Sequence, residues 1–166
     1  MTRRLILMRH AKSSWSDPKL RDHDRPLNGR GRRSAQALGD WMREEGLIPD
    51  QIMCSSSVRT RETCDRLKLD CEPDLMSELY HASASEMLRT LRGAHGTCVL
   101  MLGHSPGIGD CAQNLVAHRP SHHRFFDYPS GATLVVDFAI DDWLRLTPGS
   151  GQTVKFVIPR ELLGAN

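Results

Sequence analysis

Arg9 and His10 follow directly on the apolar run Leu5-Ile6-Leu7-Met8, and side chains of this kind can handle phosphate. The planar fork of an arginine matches phosphate oxygens. A neutral imidazole beside it can attack phosphorus and carry the phosphoryl group covalently. Two other segments share this composition. Met53-Cys54-Ser55 leads into a helix whose first turn holds Arg59, and Met101-Leu102 ends in Gly103-His104-Ser105-Pro106-Gly107. If the three runs are parallel strands, their ends share one sheet edge, where open α/β folds bind ligands. Two arginines, two histidines and helix N-termini then converge on an anion. Singly, each residue also fits a plain role: Arg59 as a surface helix position, His104 as a core imidazole, the glycines as tight turns. Their common position after strands favours the joint reading.

The elements that would position these residues are legible in outline. Leu5–Met8 reads as a buried strand. Residues 11–27 form a polar stretch with Pro18 and Pro26, long enough for a functional loop. Asn28 caps a helix expected to reach about Glu45, with Leu38, Trp41 and Met42 on one face and Gly46 as its stop. A second strand is expected over Ile48–Cys54 and a helix from about Ser57 to Leu69. Ser83 and Glu86 have capping-box spacing ahead of Met87, Leu88 and Leu91. Thr97–Leu102 is the clearest central strand, and Ser105 with Pro106 reads as N-cap and first helical position. Ala132–Phe138 and Thr153–Pro159 supply two last strands, with Asp141-Asp142 and Pro148-Gly149 between them. This alternation predicts an α/β fold, a three-layer α/β/α sandwich with a mostly parallel central sheet and no cap domain.

Bulk properties narrow the class. The 166 residues suit a single domain, 1–166. Twenty-two lysines and arginines against 20 acidic residues give no reason to expect nucleic acid or membrane as a partner. Cys54, Cys64, Cys71, Cys98 and Cys111 form no C-x-x-C pair and read as thiols in a reducing cytoplasm. Met1-Thr2-Arg3-Arg4 precedes only four apolar residues, too few for a signal peptide. No run approaches the roughly 18 apolar residues of a membrane span. A cytoplasmic location is expected. His118, His122 and His123 are too loosely spaced around Arg119 and Pro120 to suggest a metal site.

Gly103-His104-Ser105-Pro106-Gly107 also matches the G-x-S-x-G elbow of serine hydrolases. That reading fails on chemistry. The oxyanion hole needs the N–H of the residue after the serine, and Pro106 has none. The triad histidine should follow its acid late in the chain, yet none lies beyond His123.

The full set of motifs resembles the histidine phosphatase (phosphoglycerate mutase-like) superfamily, and within it the SixA-type phosphohistidine phosphatases. The stretches that carry the likeness are L-I-L-M-R-H-A-K-S-S-W at 5–15, D-R-P-L-N-G-R-G at 24–31 and S-S-S-V-R-T-R-E-T at 55–63. S-E-L-Y at 77–80, V-L-M-L-G-H-S-P-G at 99–107 and P-S-G-A-T-L at 129–134 complete it. Ala11 stands where many members have glycine.

The resemblance implies that His10 is the phosphorylated nucleophile. Arg9, Arg59 and His104 would hold the equatorial oxygens, with Ser105 and Arg25 as further substrate contacts and Glu78 as the position of a general acid. Glu78 fits an exposed ion pair equally well, Arg25 fits a loop anchor, and Lys12, Ser13 and Ser14 flank the site. A cationic ring around phosphorus stabilises the transferring group, so neither metal nor other cofactor is expected. Members that act on small metabolites often add helical insertions over the site, whereas residues 69–97 here hold one short helix. A phosphorylated protein, phosphohistidine-bearing, is therefore the expected partner. The alternatives are a small phosphorylated substrate and a phosphoprotein-binding module without turnover.

Overall fold

The computed structural model describes residues 1–164. Six strands form one sheet: β1 (Arg3–Arg9), β2 (Gln51–Ser55), β3 (Pro73–Met76), β4 (Cys98–Gly103), β5 (Thr133–Phe138) and β6 (Gln152–Val157), in the order β3-β2-β4-β1-β5-β6. β1 to β4 are mutually parallel, and β5 runs antiparallel to both β1 and β6. The helices are α1 (Gly29–Glu44), α2 (Val58–Arg66), α3 (Ala84–Arg92), α4 (Gly107–Leu115) and the short α5 (Pro159–Leu163).

The pleat of β1 divides the core. Side chains alternate across a strand, so Leu5 and Leu7 join Met87, Leu91, Ile108 and Leu115 of α3 and α4 on one face. Ile6 and Met8 join Leu38, Trp41, Met42 and Cys64 of α1 and α2 on the other. Burial on both faces explains why this run is apolar throughout. The result is the expected three layers, with no separate cap among the described residues.

Caps set the helix starts. Asn28 accepts from the Gly31 N–H at 2.8 Å, Ser57 opens α2, and Ser83 with Glu86 forms the anticipated capping box on α3. Gly31 is required by a close approach: a Cβ there would lie 2.0 Å from the Lys12 carbonyl oxygen, so α1 seats directly on the chain leaving β1.

Three expectations need correction. β3 was not anticipated, because Pro73-Asp74-Leu75-Met76 is a half-exposed edge strand without apolar alternation. Residues 69–97 thus hold a strand and a 3₁₀ turn as well as α3. The second strand starts at Gln51 rather than Ile48, whose side chain is exposed. α4 starts at Gly107, with Pro106 as its N-cap, because Ser105 and Pro106 form a turn before the helix.

Candidate active site

The order β2-β4-β1 puts the three strand ends side by side at the centre of the sheet. Arg9 closes β1 in register with Gly103, and the next residues in each strand are His10 and His104. The His10 N–H donates to the Gly103 carbonyl at 3.2 Å, and the two imidazole centroids lie 5.3 Å apart. Ser57, just past β2, caps the helix that carries Arg59 into the same space.

His10 is held in one tautomer. Its Nδ1 lies 2.7 Å from the Ala11 carbonyl oxygen, which can only accept, so Nδ1 carries the hydrogen and Nε2 keeps its lone pair. Arg59 Nε donates to that Nε2 at 3.4 Å. The Ala11 N–H donates to Thr63 Oγ1 at 3.0 Å, which in turn donates to the Arg59 carbonyl at 2.7 Å. One helix therefore fixes both the imidazole and the guanidinium beside it.

Burial lowers the His10 pKa to about 3, and nearby Arg9, Arg59 and Arg25 push the same way against the Ala11 hydrogen bond. His104 is lowered to about 3 by burial and then by His10 and Arg59. Both rings are neutral at ordinary pH. His104 Nε2 lies 2.7 Å from Ser55 Oγ, while its buried Nδ1 has no partner among the described residues.

Arg59 is 3% exposed, and Arg9 is half-buried. Arg9 Nη1 donates to the Tyr128 carbonyl at 3.1 Å. Tyr128 has a φ of 43°, a left-handed conformation uncommon for a bulky residue, which turns the chain just before the P-S-G stretch at 129–131. Burial, and then the neighbouring Arg59, lowers the Arg9 pKa. Two cations so close, with buried donors, make a site for an anion of concentrated charge.

Three further residues enter the site: Tyr80, which closes the S-E-L-Y stretch but carries no role assigned from sequence, and Asp22 and His81, which lie outside the motif stretches. Asp22 lies in a 3₁₀ turn of the 11–28 loop, which a polar sequence leaves without periodicity. Its carbonyl and carboxylate accept from Arg59 Nη1 and Nη2 at 2.7 and 3.0 Å. Arg25 Nη2 donates to the same carboxylate at 2.9 Å, the Tyr80 hydroxyl donates to it, and His81 Nε2 lies 3.3 Å away. Desolvation would raise the Asp22 pKa, but hydrogen bonds from Tyr80, Arg25 and Arg59 hold it well below the usual carboxylate range.

Asp22 thus occupies donors of Arg59 that a phosphate would also use. Neutralising it as Asp22→Asn removes a like charge of about 1 kcal/mol at 4 Å in water. Inhibition by vanadate is then expected at roughly fivefold lower concentration, read from dose–response curves of the variant and the parent. An unchanged or higher inhibitory concentration would mean that Asp22 does not compete for the anion.

The structure places the other candidates differently. Arg25 is buried but commits its fork to the loop, donating to Ser13 Oγ at 2.8 Å and to Asp22, and it lies 3.6 Å over the Trp15 ring. It reaches the pocket only through Asp22. Glu78 is exposed in the 3₁₀ turn Ser77–Leu79 and makes no hydrogen bond or ion pair with the pocket side chains among the described residues. Ser105 is half-buried, with no side-chain hydrogen bond among them. His122 stacks on His123 and pairs with Glu161 at 3.1 Å.

The sequence model of the histidine phosphatase superfamily (branch 1) matches residues 5–88. The chain belongs to this superfamily. Among relatives of the histidine phosphatase chain, an uncharacterized protein of Mycobacterium tuberculosis is 32% identical over 164 residues, covering 92% of this chain and 100% of that one. The structure of a putative phosphohistidine phosphatase SixA from Nakamurella multipartitia matches with a TM-score of 0.85 and 28% identity, over 96% of this chain and 97% of that one. The protein histidine phosphatase SixA complexed with tungstate shares the fold at a TM-score of 0.74 and 19% identity, over 96% and 99% of the two chains. This histidine phosphatase is SixA-like in architecture. No helix among its described residues is long and apolar enough to cross a membrane.

Proposed function

We propose that the protein is a phosphohistidine phosphatase acting on a phosphorylated protein through a phosphohistidine intermediate on His10. Arg9, Arg59 and His104 hold the phosphoryl oxygens. His10 Nε2 attacks phosphorus as the P–N bond to the substrate imidazole breaks, and the leaving nitrogen is protonated from solvent. The Ala11 carbonyl, accepting from Nδ1–H, stabilises the positive charge that develops on the ring. Water then attacks the phosphohistidine, Nε2 leaves, and inorganic phosphate is released with one proton. Cytoplasmic location and an independent single domain belong to the same reading.

The observation that carries the substrate class is the set of donors on Asp22. An alkoxide leaving group needs an acid, and a carboxylate held ionised by three donors is a poor one. Imidazole, with an ordinary pKa near 6.5, leaves with far less help. The titanic difference in basicity between the two leaving groups makes phosphoramidates the fitting substrates. With no helical insertion over the site among the described residues, the pocket suits a side chain presented on a protein surface. The site is complete enough for turnover, which disfavours a binding module.

Matched peptides carrying phosphohistidine or phosphoserine, together with a sugar phosphate, test this. The expected kcat/KM is at least about tenfold higher on phosphohistidine, a difference of about 1.4 kcal/mol in barrier. Preference for phosphoserine or the sugar phosphate would replace this reading with a phosphomonoesterase.

A further inference from the structure

A second cluster of cations lies outside this pocket. A cleft of about 280 Å³ at the same sheet edge is lined by Lys12, Arg30, Arg124 and Arg160, together with Ser34 and Ser130. Among the described residues no carboxylate lines it, although the whole chain carries a net charge of only +2. Arg124 pairs with Asp127 at 2.8 Å, whereas Lys12, Arg30 and Arg160 are exposed and in no ion pair among the described residues.

The sequence places these charges against local preference. α1 opens Gly29-Arg30-Gly31-Arg32-Arg33 with no acidic residue in its first turn, and cations there oppose the helix dipole. Mutual repulsion around a small cleft adds to that cost, and an anionic occupant would offset both.

The cleft also shares a wall with the pocket. Lys12 is two residues beyond His10, and its carbonyl accepts from the Asn28 N–H at 3.0 Å. Ser130 precedes Gly131, whose N–H donates to the His10 carbonyl at 2.9 Å. An occupant would therefore lie beside the residue presented to His10.

We infer that this cleft binds an acidic segment, rich in Asp and Glu, of the phosphorylated partner protein. The inference rests on the reading of the substrate as a protein. Separate flexible cations at a solvent edge suit a row of carboxylates, and the lining offers no aromatic ring on which a nucleic-acid base could stack.

The test uses a labelled, phosphate-free peptide with a run of Asp and Glu, its binding followed by fluorescence anisotropy. The double variant Arg30→Glu/Arg160→Glu is expected to weaken binding about tenfold or more. It should lower kcat/KM equally on an acidic-flanked phosphohistidine peptide and leave turnover of free phosphoramidate unchanged. Undiminished peptide binding, a parallel loss on phosphoramidate, or tighter binding of an oligonucleotide than of the acidic peptide would overturn the inference. Wild-type protein that binds the peptide but hydrolyses only phosphoesters would defeat the phosphohistidine reading and leave the acidic-segment site standing.

Discussion

The variant His10→Ala is expected to lose turnover by about four orders of magnitude or more, the scale on which enzymes lose activity with their nucleophile. Nε2 is the lone pair that the Ala11 carbonyl leaves free, and Arg59 Nε points at it. Arg9, Arg59 and His104 remain in the variant, so phosphate binding should persist while covalent transfer ceases. Labelled phosphohistidine substrate, mixed rapidly with the parent and quenched in base, should leave label on the protein. The variant should leave none. Retained activity, or label on the variant, would remove His10 from the reaction. Because His10 is 6% exposed, thermal denaturation of the variant should accompany the assay.

The largest effect on stability should come from pH. His10 and His104 are buried with pKa values lowered from 6.5 to about 3. In the unfolded chain both rings bind protons at about 6.5, so between pH 6.5 and 3 the unfolded state holds two protons that the folded state refuses. Stability is then full above pH 6.5 and falls as the pH drops through that window. At about 1.4 kcal/mol per unit per ring, the loss by pH 4.5 is on the order of 5 kcal/mol, comparable with the whole stability of many domains. Asp22, also held below its usual range, adds a loss only at more acidic pH, once its unfolded value near 3.8 is reached. Urea titrations at pH 7.5 and 4.5 measure the total. His104→Gln, which can still meet Ser55, should remove about half of the difference, and an equal drop in parent and variant would contradict the assignment.

Arg9, His10, Arg59 and His104 were legible because strand ends fix position. An apolar run followed by a cation or imidazole leaves little choice about which edge the residue occupies. The layers followed from the same alternation, as did the capping box at Ser83 and Glu86. Asp22, Tyr80 and His81 had no such frame. They meet through a loop and a 3₁₀ turn whose courses depend on tertiary contacts, and His81 sits at a φ of 56°, which its sequence neighbours do not announce. β3 escaped for a related reason: a four-residue edge strand needs its partner β2 more than its own composition. The partner of His10 Nδ1 was equally hidden, since a backbone carbonyl leaves no mark in side-chain spacing.

The pocket and the basic cleft differ in how their parts can move. His10, His104 and the approach to Arg59 rise from three neighbouring central strands. Groups rooted there open only when the whole cooperative unit opens. The cleft is framed by Arg124 and Ser130 in the loop before β5 and by exposed cations of α1 and α5, at the margin of the layers where local opening costs less. Substitutions in the cleft therefore disturb that margin and leave the central strands intact. The reaction centre changes only at the expense of the fold itself.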